Sequence, residues 1–83
     1  MHYDLTNDYR TPLLLVIEPE GLEFYLPPGE MVSIFIEGDS PAFRCNHFVN
    51  KNGDHGVAFW PDKGDYTIKH NGDNILELMQ SKF

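Results

Sequence analysis

Pro12-Leu-Leu-Leu-Val-Ile-Glu18, Leu22-Glu-Phe-Tyr-Leu26 and Glu30-Met-Val-Ser-Ile-Phe-Ile-Glu37 are three apolar runs set between two Pro/Gly corners. Runs this short, rich in Leu, Val, Ile and aromatic residues and bounded by turn chemistry, read as successive strands and not as a helix. Leu22, Phe24 and Leu26 alternate with Glu23 and Tyr25, the period of a half-buried strand. In the third run Val32, Ile34 and Ile36 alternate with Met31, Ser33 and Phe35. Both sets are largely apolar, which predicts a central strand covered on both faces.

The corners carry their own geometry. In Glu18-Pro19-Glu20-Gly21 the proline presets φ for a type I or II turn, and the glycine two residues later suits a positive φ. In Pro27-Pro28-Gly29 the pair Pro28-Gly29 is the favoured centre of a type II turn. Type II twist matches a tight hairpin poorly, so this corner is expected to change direction, as in a step from one sheet to another.

Two later hairpins can be tested for register. Phe43–Asn50 and Asp54–Trp60 flank Lys51-Asn52-Gly53. With that three-residue loop Cys45 faces Phe59, His47 faces Val57 and Val49 faces His55. Phe43, Cys45, Val49, Val57 and Phe59 then form one apolar face. On the other face Arg44 lies opposite Trp60 and Phe48 opposite Gly56. A tighter Asn52-Gly53 turn is the competing register. Near the C-terminus, a loop of Asn71 to Asp73 pairs Ile68 with Leu76 and Tyr66 with Leu78, and keeps the apolar residues together. A two-residue Asn71-Gly72 loop sets Tyr66 opposite Glu77 and mixes the faces. A C-terminal helix competes, because Leu76, Met79 and Phe83 fall at helical spacing.

Eighty-three residues make one β domain, 1–83, with a modest core. Residues 1–11 are polar apart from Tyr3, Leu5 and Tyr9, and read as either a ragged edge strand or a flexible arm. Only two alanines occur, Ala42 and Ala58, whereas β-branched and aromatic residues are frequent. Turn signals recur every 8–12 residues or so, the spacing of an all-β sandwich or barrel. The net charge is −7, from 13 acids against 6 bases, and no basic cluster marks a nucleic-acid or anionic-membrane footprint. The longest apolar run, Leu13 to Ile17, is far too short to span a membrane. Cys45 is the one cysteine, and Met1-His2-Tyr3-Asp4 shows neither region of a secretory signal, so the chain reads as cytoplasmic.

Glu18-Pro19-Glu20-Gly21, Leu26-Pro27-Pro28-Gly29-Glu30 and the later Trp60-Pro61 together resemble a group of small bacterial proteins of unknown function. Their shared pattern is an apolar strand, E-P-x-G, a second strand and L-P-P-G. The similarity covers roughly residues 12–64, and residue 20 is Glu here where the group carries an aromatic. The resemblance implies a compact β fold and brings no activity with it. Pro12–Gly38 is also similar to the opening of a cupredoxin sandwich. The copper ligands of that family are a Cys followed by His and Met at short spacings near the C-terminus. Cys45-Asn46-His47 matches neither the spacing nor the position, so no copper site carries over.

Three sets of residues invite chemistry. Cys45, His47 and His55 share one face of the second hairpin, with the two histidines as diagonal neighbours within reach of one ion. The plainer reading is a core cysteine and two partly exposed histidines. The serines Ser33, Ser40 and Ser81 have no elbow or His–acid context, and 13 carboxylates pair by chance in a chain with little room for a cleft, so no catalytic residue is assigned. Arg44, Phe48 and Trp60, with Tyr25, form the third set. Aromatics beside an arginine on an exposed face make an interaction patch, unless both faces of the sheet are covered and Trp60 is core.

The expected fold is all-β, a small antiparallel sandwich or partly open barrel of about seven strands. The expected function is a non-enzymatic protein-interaction or self-assembling module that needs no cofactor and binds itself or another protein. A small-ligand or metal-binding β domain is the alternative.

Overall fold

A computed structural model describes residues 2–38, 42–63, 65–76 and 78–81. Two sheets pack face to face and do not close into a barrel. The four-stranded sheet has the order β1 (His2–Thr6), β4 (Met31–Ile36), β7 (Tyr66–His70), β8 (Asp73–Asn74). The five-stranded sheet has the order β5 (Ala42–Val49), β6 (His55–Lys63), β2 (Leu13–Ile17), β3 (Leu22–Leu26), β9 (Gln80–Ser81). Among the described residues there is no helix, and hence none long and apolar enough to cross a membrane. The all-β sandwich expected from the sequence is met, with one refinement. β2 pairs with β6 in parallel, whereas every other ladder is antiparallel. A parallel neighbour needs a long crossover, and here that crossover is the whole passage through β3, β4 and β5.

The core lies between the sheets. Leu13, Leu15 and Ile17 of β2, Leu26 of β3 and Val57 and Phe59 of β6 meet Val32, Ile34 and Ile36 of β4 and Ile68 of β7. Residues i, i+2 and i+4 of a strand share a face, so the apolar alternation read from the sequence becomes the inner face of each sheet. Tyr3 and Leu5 pack against this core, which makes residues 2–6 an edge strand on β4. The flexible-arm reading of the N-terminus does not hold for them. β4 is central, between β1 and β7, yet covered on one face only. Met31 and Phe35 are 46% and 37% exposed on the outside, which corrects the expectation of a strand buried on both faces. The five-stranded sheet covers one side of β4 only, so its apolar outer residues stay at the surface.

The Pro27–Glu30 corner steps from the five-stranded sheet to the four-stranded one, as the sequence predicts. Glu30 N donates to Pro27 O at 3.2 Å, and Gly29 sits at φ 79°. A Cβ placed on Gly29 meets nothing within 4 Å, so substitution there costs backbone conformation and not space. Gly29→Val is expected to destabilise the fold by about 1–3 kcal/mol, read by thermal melting. An unchanged melting temperature would show that the corner tolerates a β-branched residue. The peptide bond between Glu18 and Pro19, in the other corner, is cis.

Asn7, in the β1–β2 connection, is the one buried polar residue among those described. Its Nδ2 donates to Leu26 O and Thr11 O, each at 2.9 Å, and its Oδ1 accepts from Tyr9 N at 2.8 Å. Its own N–H donates to Glu30 O at 2.9 Å, and its carbonyl accepts from Gly29 N at 2.8 Å. One residue, through its backbone and its side chain, therefore ties the first connection to the Pro27–Glu30 corner and the end of β3 before it, where the chain crosses between sheets. A buried amide is tolerated only when its donors and acceptors are matched, as they are here.

The C-terminal register differs from the expected one. The loop is Asn71-Gly72, with φ 52° and 83°, and pairs His70 with Asp73 and Lys69 with Asn74. Both residues of a type I′ turn need positive φ, which Asn-Gly supplies. The mixing of faces that counted against this loop never arises, because the pairing stops early. Ile75 N still donates to Ile68 O at 2.9 Å, and then Leu78 N and Met79 N turn back onto Ile75 O. That single turn puts Ile75 and Met79 in the core and delivers Gln80–Ser81 to β3 of the other sheet. Leu78, expected opposite Tyr66, is exposed instead. The helical reading is not met by the described residues, and Phe83, on which it drew, lies outside them.

Candidate interaction surface

The second hairpin has the register expected from its sequence: Arg44 with Trp60, Cys45 with Phe59, His47 with Val57, Phe48 with Gly56 and Val49 with His55. Asn50 N donates to Asp54 O, and Gly53 N to Asn50 O, each at 2.9 Å. Gly53 has φ 87°, the bulge conformation of a three-residue loop. Asn50 Oδ1 also accepts from Asn52 N and Asp54 N, which braces the turn.

This register sends two sets of side chains to opposite faces. Phe43, Val57 and Phe59 enter the core, with the rings of Phe43 and Phe59 at 5.2 Å. Cys45 and Val49 were expected in that apolar face, but both are exposed. β5 is an edge strand of its sheet. What covers the hairpin there is a layer of three rings. Tyr9 stacks on His55 at 4.0 Å and 10°, and its hydroxyl reaches His47 Nε2 at 3.2 Å. His47 Nε2 and His55 Nδ1 are 3.2 Å apart, in rings tilted by 16° with centroids at 5.3 Å. Nearly coplanar rings at that spacing meet head to head, which is a hydrogen bond between imidazoles. Cys45 lies beside Tyr3 instead, and partial desolvation of its side chain pushes the thiol above the ordinary range, away from the thiolate a metal takes. Among the described residues, no three His, Cys, Asp or Glu side chains gather round one point that could hold an ion. Cys45, His47 and His55 thus sit on one face as expected, but their polar atoms turn to different partners.

The outer face of the five-stranded sheet collects the other set. The ladders align Phe48, Gly56, Leu14 and Tyr25 in one row across four strands. Asn46, Ala58, Val16 and Glu23 form the next row, and Arg44 and Trp60 the third. Arg44, Phe48, Trp60 and Tyr25, singled out from the sequence, therefore lie on one surface. Leu14 and Ala58 are 7% and 8% exposed in its floor, Phe48 and Trp60 are half-buried, and Tyr25 is 59% exposed. The Arg44 guanidinium lies 5.2 Å from the centre of the Trp60 ring, within cation–π range. Phe48 lies across Gly56 so closely that a Cβ there would meet its ring at 2.3–2.8 Å. Glycine is what lets the phenylalanine lie flat. Trp60 is not part of the core between the sheets.

Leu14, Val16 and Ala58 were not assigned to this surface from the sequence. β2 comes to lie beside β6 only through the parallel pairing of residues some forty positions apart, and no local pattern announces that. Tyr25 was a member by aromatic type alone, and β2 is what brings it onto the same face.

The outer face of the other sheet holds a second polar cluster. Asp4 accepts from Ser33 Oγ at 2.7 Å and lies 2.6 Å from His2 Nε2. The Ser33 hydroxyl, followed by His2, lowers the Asp4 carboxyl below its usual range. The carboxylate stands between hydroxyl and imidazole, so this is not the order in which a histidine takes a proton from a serine. Beside it, Met31 and Phe35 floor a shallow depression of about 530 Å³, rimmed by Glu30, Ser33 and Lys69.

No family model matches the chain, and no curated protein or solved structure matches it.

Proposed function

We propose that this domain is a non-enzymatic protein-interaction module, docking a second copy or another protein on the outer face of its five-stranded sheet. The observation that carries the reading is the gathering of Arg44, Phe48, Trp60 and Tyr25, from three strands, around an apolar floor of Leu14, Val16 and Ala58. Aromatic residues and arginine over an apolar floor are the composition of interface hot spots. Burying large aromatics in a contact also adds stability that an 83-residue core supplies only sparingly. A cytoplasmic setting belongs to the same proposal, and an exposed free Cys45 suits a reducing compartment.

Trp60→Ala is expected to weaken association by about 2 kcal/mol, or roughly thirty-fold, and to leave the monomer folded. Sedimentation mass and thermal melting of the variant check this together. A variant that unfolds without dissociating first would place Trp60 among the residues that hold the fold, and would end the face reading. The alternative, a small-ligand or metal-binding domain, draws on the depression floored by Met31 and Phe35 and on the His47–His55 pair. Metal analysis of the purified protein beside its solution mass separates the two.

A further inference from the structure

We propose that two copies of this domain join edge to edge through β5, antiparallel about a two-fold axis, into one continuous sheet. This surface is distinct from the outer face considered above. β5 has eight residues and lies at the edge of its sheet. Arg44, Cys45, Asn46, His47 and Val49 are all exposed.

The hairpin loop determines which backbone groups are free. The Asn50 N to Asp54 O bond makes that pair a hydrogen-bonded one. Alternation along an antiparallel ladder then makes Phe48–Gly56, Asn46–Ala58 and Arg44–Trp60 hydrogen-bonded pairs too. The N–H and C=O groups of Phe43, Cys45, His47 and Val49 therefore point away from β6 to the open edge. Among the described residues no strand lies there.

Edge strands of natural sheets are blunted by shortness, proline, lysine, other charges or bulges. β8 and β9 are two residues each, and β1 carries Asp4 toward solvent. From Phe43 to Val49 there is no proline, no lysine and no acid, Arg44 is the one formal charge, and the one irregularity sits at the start, between Ala42 and Phe43. An edge of this length with so little to blunt it is a template for another strand.

The strand is also complementary to itself. With Asn46 on the axis, Cys45 faces the second copy's His47 and Phe43 faces its Val49. Every one of these pairs has its backbone groups directed outward, so the ladder forms without a slip. Arg44 then faces the second copy's Phe48, a cation over an aromatic ring, and the two arginines are kept apart. A register centred on Cys45 or on His47 shortens the ladder. The strand carries a single formal charge, so the −7 of each copy does not meet at the seam. The outer faces of the two copies become continuous across Phe48 and Arg44.

Residue-resolved amide hydrogen exchange of the wild-type protein at low and high concentration tests this. The amides of Cys45, His47 and Val49 are expected to slow by at least about tenfold on concentration. Those of Arg44, Asn46 and Phe48, bonded to β6, should be protected at both. His47→Pro removes an edge N–H and keeps the β6 ladder, so it should stay monomeric by sedimentation. His47→Ala loses the contacts with Tyr9 and His55 but keeps that N–H, and should still dimerise. Edge amides that exchange freely at every concentration would overturn the proposal. So would a monomeric His47→Ala, or protection that appears only when a foreign extended peptide is added. Trp60→Ala should retain the alternating protection whether or not the outer face is a docking surface. Loss of the alternation in that variant would mean that copies meet through faces and not edges.

Discussion

Asn7→Ala is expected to destabilise the domain by about 2–4 kcal/mol, a loss out of proportion to an exposed-looking polar segment. The truncation removes no apolar surface. It takes one of its donors from Leu26 O, at the buried end of β3, leaves Thr11 O without the Asn7 amide, and releases Tyr9 N from the Asn7 Oδ1 that holds it. Unpaired buried groups carry their full desolvation cost, whereas the bonds they replace contribute only modestly. The variant should also free Tyr9, and with it the ring layer over His47 and His55. Urea denaturation followed by far-UV circular dichroism measures the first effect, and ring-current shifts of His55 the second. Asn7→Asp adds a pH signature. A carboxylate facing the Leu26 and Thr11 carbonyls is disfavoured, so its folded pKa rises above an unfolded value of about 3.9. The unfolded chain then gives up the proton first, and stability relative to wild type falls as pH rises above about 4. A midpoint within error of wild type in both variants would show that Asn7 is ornamental.

The other large effect is expected at Phe59. Phe59→Ala should cost about 3–5 kcal/mol, because it empties the largest side chain buried completely in the core. Phe43 loses the ring against which it packs, and Tyr3, which tilts on Phe43 at 5.7 Å, loses its backing in turn. For a domain of this size such a loss lowers the melting temperature by at least about 12 °C. The neighbouring residue makes the comparison informative. Trp60 is larger, but it points to the opposite face of β6 and is half-buried. Truncation at 59 should therefore unfold the protein, and truncation at 60 should leave it folded. Equal destabilisation by the two variants would contradict the assignment of faces on β6.

Much of the architecture was legible because strand sandwiches write themselves locally. Alternation in Leu22–Leu26 and Met31–Ile36, a type II pair at Pro28-Gly29, and a three-residue loop at Lys51–Gly53 each depend on neighbours within a few residues. From the second hairpin alone follow the pairing of Arg44 with Trp60 and the separation of Phe59 from Trp60. The same local logic misled at Asn71-Gly72. Matching apolar residues across a long ladder assumed that the ladder continues, whereas the chain leaves the sheet after Ile75 to fill the core from the end.

What only the tertiary structure decided are the relations between distant segments. The parallel pairing of β2 with β6 sets Leu14 beside Gly56 and Val16 beside Ala58, and so builds the floor under Phe48, Trp60 and Tyr25. Asn7 reads as an ordinary loop asparagine until Leu26 O and Gly29 N arrive beside it from the next corner. Met31 and Phe35 belong to an apolar run, yet a two-layer fold leaves one side of β4 uncovered. In each case the sequence determined the period, the turn and the face of a strand, since these follow from backbone sterics and the two-residue repeat. Which strands lie side by side depends on how the whole apolar surface is buried at once, and that is a property of the assembled sheets.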